Sequence, residues 1–127
     1  MKFEHFALNV PDAAAMARWY VQHCRMRVVR SIPKAPHTHF LADEGGRVMM
    51  EIYTNPEAPT PDYASMPPLC FHFALAVQDA EPPKKRLLAA GATVFQDQVL
   101  DDGSRIVTLR DPWGVPLQLC QRVEPMA

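Results

Sequence analysis

Nine residues near the start of the chain, His5-Phe6-Ala7-Leu8-Asn9-Val10-Pro11-Asp12-Ala13, return 67 positions later as His72-Phe73-Ala74-Leu75-Ala76-Val77-Gln78-Asp79-Ala80, with seven of nine identical. Agreement over that length exceeds what shared strand propensity produces, so the chain reads as a duplication of one supersecondary unit. The same offset carries Glu51, in Met49-Met50-Glu51-Ile52-Tyr53, onto Gln118, in Pro116-Leu117-Gln118-Leu119-Cys120. Each is a polar residue inside an otherwise apolar strand. At 127 residues, two such copies fit one domain.

Residues 3–10 alternate apolar and polar with the period of a strand, and Pro11-Asp12 then opens a run of helix formers over 13–24. Strand-like runs follow at 26–32, 37–42 and 48–53, the last after a Gly45-Gly46 turn. The first half therefore reads βαβββ. Pro56, Pro59, Pro61, Pro67 and Pro68 favour an extended connector over 54–69 rather than a packed element. Beyond it the order repeats. A strand over 70–77 leads to a helix over 81–90, with Pro82 and Pro83 in its first turn and Gly91 past its end. Strands over 93–99 and 104–110, the turn Asp111-Pro112-Trp113-Gly114 and a last strand over 115–121 complete the copy. The expected fold class is α+β: two tandem βαβββ modules, 1–53 and 70–127, joined by a linker at 54–69, with a curved mixed sheet around one cavity.

Charge and apolar runs exclude several classes. Thirteen basic and 14 acidic residues give a net charge of -1, with no basic cluster and no aromatic-basic stripe, so no nucleic-acid partner is expected. No apolar run approaches the roughly 20 residues that span a bilayer, and Glu4 and His5 interrupt the stretch a signal peptide would need. A cytoplasmic protein without a membrane partner is the expectation. Cys24, Cys70 and Cys120 form no paired framework, which suits a reducing compartment, and they read as small buried hydrophobes.

Successive strand residues point to opposite faces, which sorts the polar positions. His5 stands opposite Phe6, Leu8 and Val10, and His72 opposite Phe71, Phe73, Leu75 and Val77. Glu51 shares the side of Met49 and Tyr53, away from Val48, Met50 and Ile52, while Gln118 lies opposite Leu117 and Leu119. If the halves are structural copies, a pseudo-twofold axis relates His5 to His72 and Glu51 to Gln118, and all four side chains can look toward it. A lone strand histidine is usually a hydrogen-bonded structural residue and a lone strand glutamate usually faces solvent. Duplication of both positions turns the balance toward a divalent-metal site, because a buried carboxylate normally finds a cation. Met49 and Tyr53 would line the substrate pocket beside Glu51. His37 and His39 share one strand face, where substrate contact, a second metal pair and an exposed edge pair are the alternatives. Cys70 and Cys120 share parity with His72 and Gln118.

These residues resemble the vicinal-oxygen-chelate superfamily, which includes glyoxalase I, methylmalonyl-CoA epimerase, fosfomycin-resistance proteins, extradiol dioxygenases and bleomycin-binding proteins. The likeness spans nearly the whole chain. It rests on the opening His-x-x-x-x-Val-x-Asp, a first helix bearing Trp19-Tyr20, and Asp111-Pro112-Trp113-Gly114 before the last strand. What it implies is a glyoxalase-like fold, metal ligands at His5, Glu51, His72 and Gln118, a small-molecule substrate and a homodimer. At the last ligand position many members have a glutamate that also serves as base; Gln118 offers a carbonyl oxygen and cannot take a proton. Phe6, Asn9 and Cys24-Arg25-Met26 also depart from the glyoxalase I pattern, which argues against glutathione.

Two imidazoles and a carboxylate suit Zn, Ni, Fe, Mn or Co. The resemblance then implies a metal-dependent lyase or isomerase acting on a substrate that chelates through adjacent oxygens, with Glu51 as the ligand able to act as base. A two-histidine, one-carboxylate set also describes non-haem iron oxygenases, so a dioxygenase stands beside it. From another class comes a metal-free protein of the bleomycin-resistance type, sequestering a small molecule in the same apolar-lined cavity.

Overall fold

The computed structural model describes residues 1–126, with the side chain of Met49 left out. The chain divides after Pro61 into two compact units.

In the first unit, β1 (Phe6–Asn9), α1 (Ala13–Cys24), β2 (Arg27–Ser31), β3 (His39–Ala42) and β4 (Val48–Tyr53) follow in the expected order. The sheet runs β1-β4-β3-β2, with β1 parallel to β4 and the other pairs antiparallel. Helix α1 starts where Asp12 accepts the Ala15 N–H at 3.0 Å, and Thr54 Oγ1 takes the Ala13 N–H at 2.9 Å. It stops where Arg25 turns left-handed at φ 55°. Met16, Ala17 and Tyr20 carry its buried stripe, and Leu8, Leu41, Met50 and Ile52 supply the apolar face of the sheet. Full burial of each large side chain contributes about 1.5 to 3 kcal/mol.

The second unit repeats the plan with β5 (Phe73–Ala76), α2 (Glu81–Ala89), β6 (Thr93–Val99), β7 (Arg105–Arg110) and β8 (Pro116–Gln121), in the order β5-β8-β7-β6. Again the first and last strands are the parallel pair. Leu117, Leu119, Val107 and Leu109 are buried, and Leu87 of α2 is buried with them. This helix is shorter and less apolar, and charge supplements its packing. Arg105 donates to Glu81 at 2.7 Å and to Asp97 at 2.8 and 3.0 Å, and Lys84 reaches Asp97 at 2.7 Å. These cations hold the Asp97 carboxyl far below the usual carboxylate range. The network ties α2 to β6 and β7.

Two features depart from the sequence expectation. Strands β1 and β5 begin at Phe6 and Phe73, so His5 and His72 stand on the approach to their strands rather than inside them. The proline-rich segment is also no free tether. Its first part is tied to β1: Asn9 Nδ2 donates to the carbonyls of Asn55 and Ala58, both at 3.0 Å, and Asn9 Oδ1 accepts the Asn55 N–H at 2.8 Å. Its second part forms a 3-10 turn, Tyr63–Ser65, with Tyr63 buried. The Arg110 guanidinium holds that turn through the carbonyls of Tyr63 and Met66, both at 2.8 Å. Gly114, at φ +86°, lets the turn close in, since a Cβ there would sit 2.7 Å from the Ala64 nitrogen. A single helical turn has too few residues for its period to show among prolines. Among the described residues no helix is long and apolar enough to cross a membrane.

Candidate functional site

Register places the first pair of polar residues. Glu51 lies opposite Ala7 of β1 on one side and Phe40 of β3 on the other, so these three share the sheet face away from α1. His5, two residues before Ala7, reaches the same face. Its Nε2 lies 3.1 Å from Glu51 Oε2, its Nδ1 lies 3.0 Å from Glu4 Oε1, and Phe40 meets the ring edge-on at 5.5 Å. Both side chains are half-buried, with 28% and 19% exposed. With Nδ1–H directed at Glu4, the Nε2 lone pair would face a carboxylate oxygen, whereas with Nε2–H directed at Glu51 the pair is an ordinary hydrogen bond. Two electron-rich atoms hold that separation only with a positive centre, a proton or a metal ion, between or beside them. Bonds of about 2.1 Å to one ion put neighbouring ligand atoms about 3.0 to 3.4 Å apart, so the pair fits a shared metal. A carboxylate behind a ligating imidazole is also the usual orienting arrangement.

The second pair sits in equivalent register. Gln118 lies opposite Ala74 of β5 and Thr108 of β7, as Glu51 lies opposite Ala7 and Phe40. Its Nε2 donates to Thr108 Oγ1 at 3.1 Å, leaving the amide oxygen 3.9 Å from Cys120 Sγ. His72 is exposed and its Nδ1 donates to the Pro68 carbonyl at 2.8 Å, which leaves Nε2 as its free donor atom. Burial pushes the Cys120 thiol up, so this sulfur stays protonated and is a poor ligand. Among the described residues no three His, Cys, Asp or Glu side chains gather into a metal-binding group.

The chain matches the profile of the glyoxalase-like domain family over residues 5–120. The chain belongs to this family. With it comes membership of the vicinal-oxygen-chelate superfamily. Solved structures agree in fold. A glyoxalase-related enzyme from Fulvimarina pelagi superposes with a TM-score of 0.72 at 18% identity, covering 94% of this chain and 87% of that one. A glyoxylase/bleomycin resistance protein/dioxygenase domain from Frankia sp. EAN1pec gives 0.71 at 18% identity, covering 94% and 96%. The protein SMU.1112c gives 0.73 at 26% identity, covering 94% and 98%. Among curated proteins none matches.

In this glyoxalase-like chain the remaining expected residues separate. Tyr53 falls two residues beyond Glu51 on the same face, opposite Asn9. The Met49 side chain lies outside the described residues. His39 requires a correction: it pairs with Ile52, on the face that packs against α1, and therefore points away from Glu51. Its neighbour His37 is not a strand residue, having turned to φ +58° ahead of β3. The two histidines thus share no strand face, and the Nδ1 of His39 donates instead to the His37 carbonyl at 2.7 Å. Sequence reasoning also missed Glu4, Phe40 and Thr108. Glu4 had a signal in its adjacency to His5. Thr108 and Phe40 become visible only once the antiparallel register is known.

Proposed function

We propose that the chain is a metal-dependent enzyme acting on a small substrate with two adjacent oxygens, its donor set being His5, Glu51, His72 and Gln118. The observation that carries this reading is the 3.1 Å separation of His5 Nε2 and Glu51 Oε2, with Glu4 holding the far side of the imidazole. Zn, Ni, Fe, Mn or Co suits such donors. When bound, the ion supplies Lewis-acid stabilisation of negative charge on the substrate oxygens.

The chain's own residues divide the remaining work. Glu4 fixes the imidazole of His5, which then presents Nε2 in one orientation. His72 presents Nε2 in the same way, held by Pro68. Gln118 contributes an amide oxygen and holds no proton. Glu51 is the one carboxylate of the set and so offers both a ligand oxygen and a basic site: with Oε2 against His5, Oε1 would be the atom that takes a proton from a substrate carbon. Lyase or isomerase chemistry follows from a base in that position.

Metal titration of the full chain, stripped with a chelator, tests the donor set. Zinc binding should weaken by at least tenfold in His5→Ala and in His72→Ala, and unchanged binding in either removes that residue from the set. Glu51→Gln should abolish turnover across a panel of hydroxy-carbonyl and dicarbonyl compounds while keeping most of the metal affinity. A second reading has an observation of its own. If a hydrogen rather than a metal ion lies between His5 Nε2 and Glu51, the pair is a hydrogen bond in the lining of the pocket, and the chain is a metal-free small-molecule binder.

A further inference from the structure

On the other side of the first sheet, away from Glu51, a cavity of about 280 Å³ opens between α1 and strands β2 and β3. Positions 14, 17, 18, 21 and 22 of α1 recur at helical spacing and face it together. Ala14 and Ala17 are too small to fill the space beside Val21 and Val28, so the floor is apolar. Its polar groups are Arg18, Gln22 and His39, with no carboxylate among them. Arg18 is exposed and has no hydrogen-bond or ion-pair partner among the described residues. The only ring nitrogen of His39 left open is Nε2, since Nδ1 bonds the His37 carbonyl. The volume is about twice that of a cavity that takes a benzene ring.

We propose that this cavity binds a small aryl or alkyl carboxylate, its apolar body lying on Ala14, Ala17, Val21 and Val28 and its carboxylate paired with Arg18. An unpartnered guanidinium at the edge of an apolar recess offers bidentate recognition to a carboxylate and little to an uncharged ligand of equal shape. The site is separate from the His5–Glu51 pair because the two occupy opposite faces of one sheet.

An NMR titration of the isotope-labelled full chain with 4-phenylbutyrate, and with its uncharged amide, tests this. The acid should give saturable shifts at the amides of residues 14–22, Val28 and His39. The uncharged amide should bind at least tenfold more weakly, and Arg18→Glu should weaken the acid by at least tenfold. Arg18→Gln, which keeps helix propensity, serves if the charge reversal unfolds the chain. No saturable shift up to roughly 10 mM, where even a millimolar site responds, would overturn the proposal. So would equal binding of the two compounds, indifference to both Arg18 variants, or shifts confined to the neighbourhood of His5 and Glu51.

Discussion

The identity of a single residue decides how much chemistry each copy of the duplicated unit retains. At the shared register position the first copy has Glu51, which can hold a proton, and the second has Gln118, which cannot. At that position only the first module carries a group able to take up a proton. Glu4 meets the other ring nitrogen of His5, 3.0 Å from Nδ1, while Nε2 faces Glu51. Glu4→Gln should lower zinc affinity by about 10- to 100-fold, the usual effect of losing an orienting carboxylate. Calorimetric titration checks it, and an unchanged affinity would make Glu4 a bystander. Charge at Asp97 has a structural role instead. Its folded carboxyl is depressed by Arg105 first and Lys84 second, so its stabilisation is present above the unfolded value near ~3.9 and is lost as pH falls below it. Asp97→Asn should cost about 1 kcal/mol at neutral pH, the scale of a solvent-screened ion pair, and flatten the acid limb of the stability profile, measured by urea unfolding from neutrality down to about pH 2. An acid limb identical to that of the parent chain would show that this network is solvated and idle.

Elements were legible where their period was long enough to show. Helix α1 occupies the 12 residues read from the run of helix formers after Pro11-Asp12, and every strand was foreseen to within a few residues. Alternation alone also put His5 and Glu51 on one face. The same alternation failed for His37 and His39, because His37 is a left-handed turn residue and parity is lost across a turn. The 3-10 turn at Tyr63–Ser65 was hidden because a non-local partner, Arg110, holds it, and nothing in the local sequence announces that bond. Close approach of the Asp111-Pro112-Trp113-Gly114 turn to it depends on Gly114. Gly114→Ala adds strain at φ +86° and a Cβ 2.7 Å from the Ala64 nitrogen, and should cost about 2 to 4 kcal/mol. A thermal midpoint within a degree or two of the parent would mean that the 3-10 turn simply moves aside.

For the whole molecule, duplication carries the most information, and it was the easiest feature to read. Two four-stranded sheets with the same strand order, each with a helix after its first strand and each pairing that strand in parallel with its last, are what the repeated nine residues foretold. Membership of the glyoxalase-like family follows from the whole length rather than from any one motif. The reaction was less legible, since neighbours below 25% identity share the fold and nothing more specific. A homodimer is the assembly proposed here, and sedimentation equilibrium of the full chain should return twice the 14.3 kDa chain mass; the chain mass itself would exclude it. The functional proposal rests on a metal ion, and elemental analysis of protein purified without chelators measures it most directly. The expected result is one transition-metal ion per chain, lost on combined substitution of His5 and His72 by alanine in a protein that still folds. Metal-free protein that fails to take up zinc, nickel, iron, manganese or cobalt on titration would contradict it and leave a binding protein in its place.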